Sequence, residues 1–172
     1  RALTRVAVDA LGGDRAPEEV VAGALEAADA GIEPILYGPA GLDTGGLPLV
    51  AGGKSLGGRI ASMAVAEGMP AEALVFLGYP LHPPGRTDKL RRDHLADVRV
   101  PMLFLQGSRD AFAQPDLLAE TVESLGDRAT LVVVEGGDHS FRVPGGPRDG
   151  GDIGAGLAPA VARFVADAVT GR

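Results

Sequence analysis

The chain has 172 residues, 45% of them apolar and 23% charged; that is about one domain's length, with enough apolar surface to fold around a core. It contains no cysteine, which excludes a disulfide framework, a thiolate zinc site and a cysteine nucleophile. A net charge of −7 and a pI near 4.9 argue against a nucleic-acid partner, and no apolar run approaches the ~18 residues of a membrane span. Arg1–Arg5 leads into a strand pattern with no leader signature, so a cytoplasmic protein is expected.

The elements alternate. Arg5–Asp9 reads as a short buried strand, and Gly12, Gly13 and Asp14 as a turn. Pro17 suits a first helical turn, and Glu18 and Glu19 suit the positive end of the helix dipole. Val20, Val21, Ala24, Leu25 and Ala28 recur at helical spacing, and Gly31 stops the helix. Glu33–Tyr37 is a second strand, followed by a Gly/Pro-rich connection from Gly38 to Gly46. Leu47–Ala51 is a third strand that Gly52 and Gly53 end. A helix over Leu56–Glu67 is expected to turn Ile60, Met63 and Ala64 inward. Ala73–Leu77 is a fourth strand. A long stretch, Gly78–Arg99, carries a short helical piece near Asp88–Leu95. Val100–Leu105 is a fifth strand, Pro115–Leu125 a helix and Ala129–Val134 a sixth strand. Pro144–Gly156 reads as a Gly-rich loop and Leu157–Val169 as a closing amphipathic helix. The strands are near-continuous apolar runs, as expected of a parallel sheet covered on both faces.

Between the third strand and the following helix stands Gly53-Lys54-Ser55-Leu56-Gly57, a G-x-S-x-G pentapeptide. A strand–turn–helix context is what a nucleophile elbow needs: the glycines permit a sharp turn, and the serine hydroxyl stands clear at the carboxyl edge of the sheet. The Leu56 amide, at a helix N-terminus, would then face a developing oxyanion. His139, in the loop after the sixth strand, is the candidate base, and Asp110, after the fifth, the carboxylate that orients it. The chain order Ser55, Asp110, His139 is the one this strand–helix architecture uses. Asp110 as a simple helix cap and Asp138 as a rival acid are the weaker readings. His82, among prolines, reads as structural, and His94 as part of a solvated mixed-charge face over Arg86–Arg99. A phosphate-binding loop is excluded because its first glycine would fall on Pro48, inside a strand. No cofactor or metal is expected.

From about Leu47 onward the motifs Gly52–Arg59 (GGKSLGGR), Phe76–Gly85 (FLGYPLHPPG), Val100–Asp110 (VPMLFLQGSRD) and Gly137–Pro144 (GDHSFRVP) resemble an α/β-hydrolase of the dienelactone-hydrolase-like type. The likeness is close to the subgroup of acetyltransferase-complex regulatory subunits and their bacterial relatives. It implies a nucleophile, acid and base at Ser55, Asp110 and His139. Val6–Glu26 (VAVDALGGDRAPEEVVAGALE) is instead similar to the N-terminus of the bacterial phosphate acyltransferase of phospholipid synthesis (PlsX type), which implies a chimera with a crossover near Leu47–Val50.

The resulting expectation is one three-layer α/β/α domain over residues 1–172, made of an acyltransferase-like βαβ unit (1–46) and a hydrolase-like part (47–172). Its six-stranded, mainly parallel sheet would have the order 2-1-3-4-5-6, flavodoxin- or Rossmann-like. The backbone at Leu11 would then supply a second oxyanion donor beside Leu56, and Tyr79 and Leu81 would line a partly apolar pocket. The expected function is a serine hydrolase acting on a small-molecule ester or thioester. The alternative is an engineered chimera without catalysis. Neither nucleic acid nor membrane is an expected partner.

Overall fold

A computed structural model describes residues 4–9, 18–29, 32–37 and 48–170. The strands are β1 (Thr4–Asp9), β2 (Ile32–Tyr37), β3 (Val50–Lys54), β4 (Ala73–Leu77), β5 (Met102–Gly107) and β6 (Ala129–Val134). The helices are α1 (Glu18–Asp29), α2 (Leu56–Ala66), α3 (Pro115–Ser124) and α4 (Gly150–Thr170), with a short 3₁₀ helix at Asp93–Asp97.

All strand pairs are parallel, but they do not form one six-stranded sheet. Among the described residues β3-β4-β5-β6 make a four-stranded sheet, and β1 and β2 pair only with each other. The expected order 2-1-3-4-5-6 is therefore wrong. β2 comes near β3 without pairing to it. Proline lacks the ladder N–H and is confined to edge strands; Pro34 lies inside β2, which fits a strand that does not continue the ladder into β3.

Strand alternation divides the core between the two faces of the four-stranded sheet. Leu74, Phe76, Met102 and Phe104 pack on one side with Val65 of α2 and Leu118 and Val122 of α3. Ala73, Val75, Leu103 and Leu105 pack on the other with Val165 and its neighbours on α4. On the first side Phe76, Tyr79 and Phe104 form an aromatic trio with ring centroids 4.6 to 5.5 Å apart. Each fully buried ring contributes roughly 1.5–3 kcal/mol.

Three local readings need correction. β3 starts at Val50 and runs through both glycines to Lys54. A Cβ at Gly52 would sit 2.2 Å from the Val75 carbonyl oxygen, so glycine lets the ladder continue where a stop was expected. On α2 the buried positions are Gly58, Ser62 and Val65, and Ile60 is 53% exposed. Gly58 must face the sheet, because a Cβ there would meet Gly53 O at 2.7 Å and the Phe76 ring at 3.1 Å. Two residues further is about 200° around the helix, which sends Ile60 to solvent. Finally, α4 begins at Gly150, well inside the stretch read as loop. Asp149 Oδ1 accepts the N–H groups of Gly151 and Asp152 at 2.8 and 3.4 Å and so caps a glycine-rich first turn.

Candidate active site

β3 ends at Lys54, and Ser55 N–H still reaches across to Leu77 O at 3.0 Å. The chain then reverses into α2 with Ser55 at φ 53°, ψ −120°. A non-glycine residue in this region stores about 1–3 kcal/mol of strain, which the surrounding structure must hold. The flanking glycines differ in what they do. Gly53 and Gly58 touch each other's backbone, whereas a Cβ on Gly57 would meet nothing within 4 Å. The close approach thus rests on Gly58, one residue beyond the pentapeptide.

The strained turn aims Ser55 at His139. Ser55 Oγ lies 2.8 Å from His139 Nε2, and His139 Nδ1 lies 2.7 Å from Asp110 Oδ2. The carboxylate can only accept, so Nδ1 carries the proton and Nε2 offers its lone pair to the serine hydroxyl. The Asp110 side chain is 0% exposed and the imidazole 24%. A buried carboxylate needs full satisfaction, and Asp110 has it. Oδ2 also accepts Gln106 Nε2–H at 2.5 Å, and Oδ1 accepts Phe112 N–H at 2.8 Å. Gln106 is held in turn, its Oε1 accepting Tyr79 N–H at 2.8 Å.

The imidazole is positioned from both sides. The Phe112 ring packs on it with centroids 4.5 Å apart. The backbone of Gly78 passes so close that a Cβ would lie 3.4 Å from the ring, and its φ of +69° also favours glycine. The acid and base loops meet backbone to backbone: a Cβ at Gly107 would fall 2.3 Å from Gly137 O and 2.5 Å from Asp138 O. Arg109 N–H donates to Gly137 O at 2.9 Å across the same seam.

Ser55, Asp110 and His139 are therefore brought together in the expected order. Leu56 is the first residue of α2, so its N–H has no intrahelical acceptor and adjoins the serine. Leu11, the expected second donor, lies outside the described residues. Asp138 is a turn-maker, its Oδ1 accepting Ser140 N–H at 2.7 Å and Arg142 N–H at 3.0 Å. The Arg142 backbone hydrogen bond holds its carboxyl below the usual range. His82 is structural as read: buried, it accepts Gln114 N–H at Nε2 and donates from Nδ1 to Pro83 O, both at 2.9 Å.

One expectation fails. Tyr79 and Leu81 do not line a pocket but are fully buried in the core, where Tyr79 donates its hydroxyl to Arg91 O at 2.8 Å. His94 lies half-buried among the charges of Arg59, Asp93 and Asp97, and it adds a contact not expected of such a face: its Nε2 lies 2.8 Å from Ser62 Oγ. The residues that sequence reasoning missed are Gln106 and Phe112. Gln106 stood in a quoted motif, but a neutral amide has no chemistry of its own to flag it.

Comparison with known proteins gives a consistent picture. A family model described as an alpha/beta hydrolase domain matches residues 12–163. The esterase domain of a Rhodothermus marinus protein superposes with a TM-score of 0.54 at 15% identity, covering 94% of this chain and 85% of that one. A candidate dienelactone hydrolase from Klebsiella pneumoniae gives a TM-score of 0.50 at 20% identity, over 86% of this chain and 59% of that one. A puromycin-hydrolyzing peptidase from Mycobacterium tuberculosis matches at 19% identity and a TM-score of 0.48, over 86% of this chain. The chain spans 25% of that peptidase. At these identities the likeness is one of fold.

Proposed function

The chain belongs to the alpha/beta hydrolase domain family, and on that premise we propose that it is a serine hydrolase of small esters or thioesters. The observation that carries the reading is the unbroken relay from Ser55 Oγ through His139 to the buried Asp110 carboxylate. His139 Nε2 takes the serine proton as Oγ attacks the carbonyl carbon, and the tetrahedral oxyanion forms beside the Leu56 N–H. The imidazolium returns its proton to the leaving oxygen or sulfur as that bond breaks. Water, deprotonated by the same imidazole, then attacks the acyl-serine carbonyl; the C–Oγ bond breaks, the imidazolium returns the proton to Ser55 Oγ, and the acid leaves. Asp110 keeps the tautomer and stabilises the cation without taking the proton.

A second reading is a recombined chain of two natural fragments that has no catalysis. The separate β1–β2 sheet supports it, while the hydrolase-domain match from residue 12, across the supposed junction, counts against it. Fluorophosphonate labelling separates the two. The hydrolase reading expects labelling that disappears in both Ser55→Ala and His139→Ala. A folded chain that takes no label would overturn it in favour of the silent chimera.

A further inference from the structure

Behind the acid and base loops lies a cavity of about 310 Å³ lined by Arg109, Arg142, Arg148, Asp138, Val143 and Pro144 among others. The three arginines are exposed, and none makes an ion pair or a side-chain hydrogen bond with another described residue. In a chain of net charge −7, three arginines lining one cavity beside a single carboxylate concentrate positive charge that an anion would offset. Asp138 is the single carboxylate in the lining, and two backbone N–H groups already occupy its Oδ1. Three cations against one anion leave two positive charges, which matches a phosphate monoester, with a charge of about −1.5 to −2 near neutral pH, better than a lone carboxylate. Guanidinium forks suit phosphate oxygens.

The turn that forms one wall of the cavity is held by its own backbone. Asp138 N–H donates to Arg142 O at 3.1 Å, and Phe141 N–H donates to Asp138 O at 2.9 Å. Phe141 itself stands at φ 62° with its ring buried in the core. This tight turn carries both Arg142 and His139.

We propose that Arg109, Arg142 and Arg148 form a recognition site for the phosphate group of a small molecule, seated on the turn that holds His139. The site goes beyond the hydrolase reading and does not depend on it. The phosphate belongs either to the ester being cleaved or to a separate phosphorylated molecule.

The test uses the full chain and inorganic phosphate, with chloride at matched ionic strength as the control. Thermal melting is expected to rise by about 2–4 °C with phosphate over chloride, to the same extent in Ser55→Ala. The rise should vanish in Arg142→Gln and in the Arg109→Gln/Arg148→Gln pair, exposed positions that leave the fold intact. No phosphate-specific rise, or an equal rise in the arginine variants, overturns the proposal whether or not the serine proves active. Hydrolysis then identifies the source. Phosphate that competes against a phosphate-bearing aryl ester but not a neutral one places the group on the substrate. Stabilisation without competition assigns the site to a separate phosphorylated molecule.

Discussion

The molecule contains two serine–histidine pairs with the same 2.8 Å separation, Ser55–His139 and Ser62–His94, and they differ in everything that makes such a pair reactive. Ser55 sits on a strained turn and donates its only proton toward the imidazole. Ser62 lies mid-helix, has no exposed surface, and donates to Arg59 O at 2.8 Å. It therefore receives the His94 proton instead of giving up its own. Behind His139 stands a buried carboxylate, ready to stabilise an imidazolium. Near His94 the charge is mixed: burial first, and the Arg59 guanidinium second, outweigh the Asp93 and Asp97 carboxylates and hold its pKa below the ordinary value. Arg59 Nε is itself buried without a hydrogen-bond partner. The distance between hydroxyl and imidazole is thus the least informative part of the geometry. Proton direction, access and the charge behind the ring set the two pairs apart.

The sharpest break in that comparison is at the hydroxyls. Ser55→Ala should lower ester turnover by about 10⁶-fold, whereas Ser62→Ala should leave it within a few-fold, as read by steady-state hydrolysis of an aryl ester. Next comes the charge behind the ring. Asp110→Asn, which preserves shape but not the tautomer, should cost about 10⁴-fold in kcat and also lower the melting temperature, because its amide nitrogen would face a donor where the carboxylate accepts. Tautomer-resolved NMR of the His139 ring provides the direct check.

A smaller effect is expected at the glycines that frame the elbow. Gly58→Ala should destabilise the fold by about 1–3 kcal/mol in denaturant titration, since its Cβ would press on Gly53 O and Phe76. Gly57→Ala should be neutral or slightly stabilising, as alanine favours a helix. Equal effects at the two would refute the packing argument.

The smallest concerns pH. Unfolded His94 titrates near 6.5 and folded His94 lower, so between those values the unfolded chain binds more protons and stability rises with pH. The contribution is full above about pH 6.5 and is lost as pH falls through the folded value. Melting curves of His94→Gln should lack that component.

These tests also show where the sequence was legible. Ser55, Asp110 and His139 were readable because each carries chemistry and follows a strand, and β4 and β6 match their apolar runs residue for residue. The phase of α2 was not readable. Hydrophobicity assigns Ile60 inward, but the glycine contact at Gly58 outranks it, and such contacts leave no hydropathy signal. The separation of β1 and β2 from the main sheet was hidden for a related reason: strand propensity says what pairs, not with whom. Tyr79 was misplaced because a tyrosine beside prolines looks like a pocket wall. In the fold it is a core ring whose hydroxyl is buried, which pushes its pKa up to about 12.

The Gly107–Gly137 seam carries a consequence for how this protein tolerates change. The spacing between acid and base is set by two backbones in contact, with no side chain between them that could be exchanged for one of similar size. A saturation library scored for ester turnover should therefore show intolerance at Gly107 close to that at Asp110, although Gly107 has no functional group. The intolerance should spread to substitutions as small as alanine. An inventory of reactive side chains would pass over the position that decides whether two of them can meet.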